Sequence, residues 1–429
     1  MEGADHSRKE SGFKRRTRVD DALSILEDTI ETRVDGCDTE RTPLERADGR
    51  VLAEAVSAAV DVPHYERAAM DGYAVRAEDT FGASDRSPAA LSIDVGASDS
   101  NAPLEANSAR RVHTGSALPA GANAVVMIEH TERLEATDEL EVLGAVGEGQ
   151  NVAPVGEDVT AGQHLYDSGH RLRPSDLGLL RSAGIQRPLV AHRPTVGVVP
   201  TGEELVSGDP EPGEVIETNG LTVSRLVERW GGEATYRNVV TDDPDALRVA
   251  IQRDLTKDVV VTSGGSSVGQ RDLLPEVIDD LGEVLVHGVG LKPGHPVCLG
   301  IVEGTPVLAL PGYPVACIIN AVQFLRPVLA WLQGTDPSPH PTTMARLERK
   351  IPSEPGTRTF ARVSLESRDS TEAPASDDET PLEYRAMPTR ASGSGVLSSV
   401  ALADGWVVVP EEREGIPEGE TVAVERWES

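Results

Sequence analysis

Five short stretches of this chain carry residue types suited to a phosphorylated ligand and a divalent cation. They are Thr201-Gly202-Glu203-Glu204, Thr241-Asp242-Asp243, Ser263-Gly264-Gly265-Ser266 with Asp272 beyond it, Lys292-Pro293-Gly294-His295, and Pro311-Gly312-Tyr313-Pro314. Small residues let backbone N–H groups approach an anion, a lysine adds a point charge, and carboxylates supply hard oxygen ligands for a cation. Each stretch also has an ordinary reading. Gly-rich turns join strands to helices in many α/β proteins without binding anything. Asp242 and Asp243 suit a helix cap, and for Asp243, which precedes Pro244, the cap is the role expected. Lys292 is harder to set aside, because lysine is scarce: only Lys9, Lys14, Lys257, Lys292 and Lys350 occur among 40 basic residues.

These stretches need strand ends to hold them. From Pro194 the pattern alternates strand and helix. Strands are expected at Thr195 to Val199, Ala234 to Val240, Val259 to Val261, near Val284, at Pro296 to Val302 and at Pro306 to Leu310. Helices are expected at Asn219 to Trp230, from Asp243 to Leu255, from about Leu273, and from Val315 to Leu332. Repeated β–α units of this length predict a mostly parallel sheet with helices on both faces, whose ligands sit at the carboxyl ends of the strands.

The remainder frames this α/β region. Residues 1–17 are charged and read as disordered. Val19, Ala22, Leu23, Leu26 and Ile30 mark an amphipathic helix that Asp20 or Asp21 could cap, and a short helix is expected from Leu44 to Ala53. A β-rich segment follows. It holds Asp61-Val62-Pro63-His64-Tyr65-Glu66, Met70-Asp71-Gly72-Tyr73-Ala74-Val75, Thr114-Gly115, a buried strand at Ala124 to Ile128, and Gly156-Glu157-Asp158. Helix returns at Pro174-Ser175-Asp176. The expected division is a discontinuous domain from 18–60 and 160–192, an inserted β-rich domain at 61–159, the α/β domain at 193–338, and a smaller β-rich unit at 339–429. In that last unit Thr359 to Leu365, Val396 to Val400 and Trp406 to Pro410 read as strands, and Ser367 to Pro381 as a solvated loop. Arg358, Arg362 and Ser394 could reach a ligand, although surface roles are the default.

Composition narrows the function classes. At 429 residues several domains are expected. A net charge of −31, from 71 acidic and 40 basic residues, argues against nucleic acid and anionic membranes as partners. An acidic, lysine-poor surface is what a very salty cytoplasm favours, and that reading is preferred over GC-rich codon bias. Cys37, Cys298 and Cys317 offer no C-x-x-C pair, which speaks against disulfides and structural zinc. With no signal-like start and no apolar run of about 18 residues, a cytoplasmic location is expected.

Taken together, AMDGYAV, TG followed by AVVM, GED, TGEEL, TSGGSSVG with its later Asp, KPG and LPGYP resemble the MoeA family in both content and order. That family comprises molybdopterin molybdenumtransferases, and the gephyrin E domain is a relative. The resemblance runs from about residue 18 to the end. It implies a multidomain α/β plus β fold: a MogA-like three-layer α/β domain, a discontinuous linking domain, an inserted β domain and a C-terminal β-barrel. It further implies a homodimer whose active site lies between the MogA-like domain of one subunit and the inserted domain of the other. By position, the pterin and phosphate cleft would use Thr201, Gly202, Ser263, Gly264, Gly265, Ser266, Lys292, Pro311 and Pro314, with Arg362 and Ser394 nearby. The carboxylates would be Glu204, Asp242 and Asp272, with Glu66, Thr114 and Asp158 reaching across from the inserted domain. Asp242 and Asp272 would hold Mg²⁺, and Lys292 the substrate's anionic groups.

Four positions depart from the family pattern: Tyr65-Glu66 for Phe-Asp, Tyr313 for Asn in LPGNP, His295 for a basic residue after KPG, and Ala153-Pro154-Val155 for an Arg-rich run. The last two thin the anion-binding rim, leaving Lys292, Arg171, Arg173 or Arg362 to capture molybdate. The implied reaction inserts molybdate into adenylylated molybdopterin with release of AMP. The resemblance implies that a MogA/MoaB-type adenylyltransferase hands over the substrate; the alternatives are that this chain is itself such an adenylyltransferase, or a non-catalytic cofactor-binding scaffold.

Overall fold

The computed structural model describes residues 16–34, 38–94, 102–264, 273–367, 382–389 and 393–428. The expected loop from Ser367 to Pro381 falls almost wholly outside them, as do Gly265, Ser266, Asp272 and Cys37. The chain forms two compact units, residues 1–40 with 191–429, and residues 41–190.

The larger unit is built on a six-stranded sheet with strand order Glu233–Tyr236, Thr195–Pro200, Val259–Ser263, Thr305–Leu310, Cys298–Val302 and Glu283–His287. The first four strands run parallel, and the last two join antiparallel. The sheet is therefore mixed, and its parallel part is the part that carries candidate ligand residues. The reason is local. Val302 pairs with Thr305 across Glu303-Gly304, and both turn residues have positive φ, 49° and 86°. That is the type I′ hairpin geometry, which returns the chain antiparallel in two residues. Val259, Val260 and Val261 are fully buried, as expected for a strand covered on both faces.

Helices Asn219–Arg229, Pro244–Asp254 and Leu273–Leu281 follow their strands. The Asp243 carboxylate accepts from the N–H groups of Asp245 and Ala246, at 3.1 and 2.9 Å, so Asp243 is a cap. The first helix, Val19–Arg33, packs Val19, Ala22, Leu26 and Ile30 into the same core as the sheet, and Arg18 rather than an aspartate occupies its N-cap position. Helical residues run from Pro314 to Trp331 through a π-helical turn at Ala321–Leu325. This segment is long and apolar enough to cross a membrane, but 78% of it is buried in the core.

The C-terminal part closes a five-stranded barrel. Arg358–Ser367 pairs with both Tyr384–Pro388 and Gly405–Val409, while Thr342–Leu347 and Thr421–Glu425 complete the ring. Closure removes the exposed edges that so small a sheet would otherwise present. Trp406 fills the junction, stacked on Trp427 and edge-on to Phe360. Two expectations fail nearby. Val396 to Val400 gives a short helix at Ser398–Ala401, not a strand. Leu291–Lys292 lies not at the α/β sheet edge but parallel to Arg358–Thr359 of the barrel.

The smaller unit holds a six-stranded sheet, ordered Ala124–Met127, Gly72–Val75, Ser108–Val112, Ala89–Ile93, Glu139–Val142 and Thr131–Leu134. The expected helix at Leu44 to Ala53 shrinks to a 3₁₀ turn at Leu44–Arg46, and Pro174–Ser182 is helical.

Candidate functional site

The strand ends of the larger unit converge as their sequences suggest, and glycine makes the convergence possible. The Gly264 N–H donates to the carbonyl of Leu310 at 3.1 Å. Its φ is +115°, and a β-carbon there would collide with the Thr201 carbonyl oxygen. Only glycine brings these two strand ends so close. Beneath them, Thr201 Oγ1 and Ser263 Oγ are buried without hydrogen-bond partners among the described residues. The Lys292-Pro293-Gly294 turn is fixed from behind. Asn320, fully buried, donates to the Gly294 carbonyl at 3.0 Å, and a side chain at Gly294 would strike that amide.

A cavity of about 1380 Å³ opens above these ends, between the α/β sheet and the barrel. The α/β part supplies Glu204, Glu217 and Asp242 to its wall. The barrel supplies Arg349, Lys350 and Arg362, and the strand paired with it supplies Lys292. Acidic and basic linings thus come from different parts of the unit. Asp242 and Glu204 accept no side-chain hydrogen bond from any described residue. The Asp242 carboxyl is pushed above the ordinary aspartate range, first by desolvation and then by the charges of Glu204 and Glu203. Such a pair of like charges is relieved by a proton or a cation. Glu217 is different: it accepts from the Gly220 N–H at 2.7 Å and from the Tyr236 hydroxyl, so it serves the start of its helix.

On the basic side, Lys292 Nζ lies 3.1 Å from Glu354, an exposed pair of small energetic worth. Arg349 is pinned to the carbonyl of Pro388 at 2.7 Å. Lys350 makes no ion pair among the described residues. Arg362 is buried, which pulls its pKa down from a value high enough that it stays charged. Desolvation, and then Arg16, pushes the His295 imidazole below its ordinary value, which favours its neutral form.

Of the residues singled out in sequence, Glu204, Asp242, Gly264, Lys292, Pro311, Pro314, Arg362 and Ser394 line this cavity. Thr201, Gly202 and Ser263 lie at the strand ends without lining it, and Gly265, Ser266 and Asp272 lie outside the described residues. Glu66, Thr114 and Asp158 belong to the smaller unit, where all three are exposed. There the Thr114 N–H and hydroxyl both donate to Asp71 Oδ1, at 2.7 and 2.8 Å, which holds the Asp71 carboxyl below its ordinary range. Ala68 N–H donates to Ser116 at 2.9 Å, which draws the segment bearing Glu66 to the one bearing Thr114. Arg173 is committed to Asp176, and Arg171 donates to the Gly49 carbonyl at 2.7 Å. The sequence reading missed Glu217, Asn219, Arg349 and Lys350. One signal was available: the lysine scarcity that singled out Lys292 applies equally to Lys350.

Three family models match in chain order: the MoeA N-terminal region (domains I and II) over residues 17–184, a probable molybdopterin binding domain over 197–331, and the MoeA C-terminal region (domain IV) over 344–427. A putative molybdopterin biosynthesis protein of Methanocaldococcus jannaschii is 35% identical over 386 residues, covering 87% of this chain and 89% of that one. A molybdopterin molybdenumtransferase of Bacillus subtilis is 30% identical, covering 90% and 89%. The crystal structure of a molybdopterin biosynthesis MoeA protein from Pyrococcus horikoshii superposes with a TM-score of 0.78 at 32% identity, over 96% of this chain and 99% of that one. With its N-terminal, central and C-terminal regions all matched, the chain belongs to the MoeA family.

Proposed function

We propose that this chain is a molybdopterin molybdenumtransferase, cleaving adenylylated molybdopterin to release AMP while molybdate is inserted at the dithiolene. The observation that carries the reading is the two-signed cavity. Donor-free carboxylates at Asp242 and Glu204 line the same space as Lys292, Lys350 and Arg362. A phosphoanhydride with a bound cation needs both signs at once.

Mg²⁺ fits the carboxylate lining. Two hard oxygen donors, plus substrate phosphates and water, are an ordinary Mg²⁺ environment, and the raised Asp242 pKa marks charge in want of a cation. We assign Asp242 and Glu204 to that ion, with Asp272 as a further ligand beyond the described residues. When bound, Mg²⁺ would polarise the phosphoanhydride. The chain's own residues orient the substrate: Lys292 and Lys350 attract its phosphates, and the Gly264 and Gly312 turns admit its backbone-facing edge. Arg362, charged and desolvated, suits the molybdate anion, and Ser394 lines the same cavity.

Homodimerisation completes the proposal. Glu66, Thr114 and Asp158, exposed and close in sequence order to mutually bonded segments, would serve the cavity of a second subunit. The substrate would come from a MogA/MoaB-type adenylyltransferase in a salty cytoplasm. The test is AMP release from adenylylated molybdopterin in high salt with Mg²⁺, with and without molybdate, alongside ATP turnover on free molybdopterin. Molybdate-dependent release is expected; ATP consumption in its place would indicate an adenylyltransferase, and no turnover a scaffold. Mixing inactive Glu66→Ala and Asp242→Asn chains should restore activity if subunits share sites.

A further inference from the structure

We infer that Tyr313 is a stacking platform for a planar nitrogen heterocycle, either the pterin or the adenine of the proposed substrate; the inference rests on that reading. Aromatic residues are only 3% of the chain. Those of the larger unit are mostly used in its core: Phe324, Phe360 and Trp406 are buried at 1% exposure or less, and Trp427 stacks on Trp406. Tyr313 is 64% exposed and lines the cavity. Phe360, the other benzene ring in the lining, is buried edge-on to Trp406 and has no free face to offer.

The backbone under Tyr313 is held firmly although the ring is not. Tyr313 precedes the Pro314–Asn320 helix in an extended conformation, φ −72° and ψ 127°. Its carbonyl accepts from Cys317 at 2.9 Å, the Val315 N–H donates to the Ser394 carbonyl at 3.0 Å, and Asn219 Nδ2 donates to the Gly312 carbonyl at 2.8 Å. The hydroxyl has no hydrogen bond among the described residues. Gly395 lies beside the ring, and a β-carbon there would come 3.3 Å from Cδ1, so glycine leaves the ring edge uncrowded. Val215 and Ile216, 54% and 45% exposed, add apolar surface to the same cavity. A pinned backbone carrying an uncovered ring contributes little to folding. It suits a flat ligand, because stacking uses the π face whatever the ring substituents. The charged lining then handles the anionic groups and Tyr313 the ring.

Equilibrium binding to the full chain tests this with AMP, 6-hydroxymethylpterin, and ribose 5-phosphate, which keeps AMP's sugar phosphate without its ring. Tyr313→Ala should weaken one of the ring ligands roughly tenfold and ribose 5-phosphate less than about twofold, with Tyr313→Phe close to wild type. Selective loss of AMP assigns adenine to Tyr313; selective loss of the pterin assigns the pterin. The inference is overturned if wild type binds neither ring ligand, if Tyr313→Ala binds both as wild type does, or if Tyr313→Phe is as weak as Tyr313→Ala. Binding is read without turnover, so a chain that binds these ligands but releases no AMP would sink the transferase reading alone.

Discussion

Asp176 in the smaller unit and Asp242 in the larger one both stand at the start of a helix, and their surroundings treat them in opposite ways. Asp176 is 2% exposed. Its carboxylate accepts from the Arg173 N–H and guanidinium at 2.9 to 3.1 Å and from Tyr166 at 3.1 Å, with His170 Nε2 at 2.8 Å. Burial alone would raise its pKa, but Arg173, His170 and Tyr166 together hold it far below the ordinary range. Asp242 has no such donors among the described residues. Desolvation and two nearby glutamates push it up. The fold surrounds a carboxylate that serves its own stability with donors, and it leaves bare the one that faces a cavity.

Breaking the first member of this pair should cost most. Asp176→Asn should destabilise the chain by about 3 kcal/mol, read from the first transition in chemical denaturation. The sign follows from the depressed pKa. The contribution is present above the unfolded aspartate value of about 3.9 and fades as pH falls toward the lower folded value. The variant should therefore lack part of the wild type's acid sensitivity, and equal stability at every pH would remove Asp176 from the comparison.

Asp242 is sharpened by titration. With Mg²⁺ held by Asp242 as proposed, the proton and the cation would compete, so Mg²⁺ affinity in calorimetry should fall on acidification by up to about tenfold per pH unit, beginning above the ordinary aspartate value. Asp242→Asn should flatten that dependence. Lys350→Gln should raise KM for the adenylylated substrate about fivefold at low salt and less in high salt, with kcat unchanged. No change at low salt would exclude Lys350 from anion binding. The smallest effect is Asp242→Asn on stability: none, or a gain of up to about 1 kcal/mol, because a raised folded pKa means the charged form is disfavoured. A clear loss would mean that Asp242 has a structural partner after all.

Local rules carried some of this into the sequence and long-range pairing hid the rest. Asp243-Pro244 announced its helix because capping is decided within a few residues. The buried valines of Val259–Ser263 announced their strand in the same way. Glu303-Gly304 was a readable hairpin signal that a β–α reading passes over, and the antiparallel edge of the sheet follows from it. Lys292 stands out in the sequence by the scarcity of lysine, yet its strand pairs with Arg358–Thr359, more than sixty residues on, which nothing nearby in the chain dictates. Arg349 and Lys350 reach the cavity through barrel closure, also a matter of distant pairing. Val396 to Val400 read as a strand from its apolar run, but five residues are too few to separate strand from helix by periodicity.

The contrast between the two aspartates comes down to one measurement: AMP release from adenylylated molybdopterin, with molybdate and Mg²⁺, by wild type and by Asp242→Asn. Molybdate-dependent release is expected from wild type, with a loss of at least about 100-fold in the variant, whose folding is intact. Equal rates in the two chains would contradict that expectation.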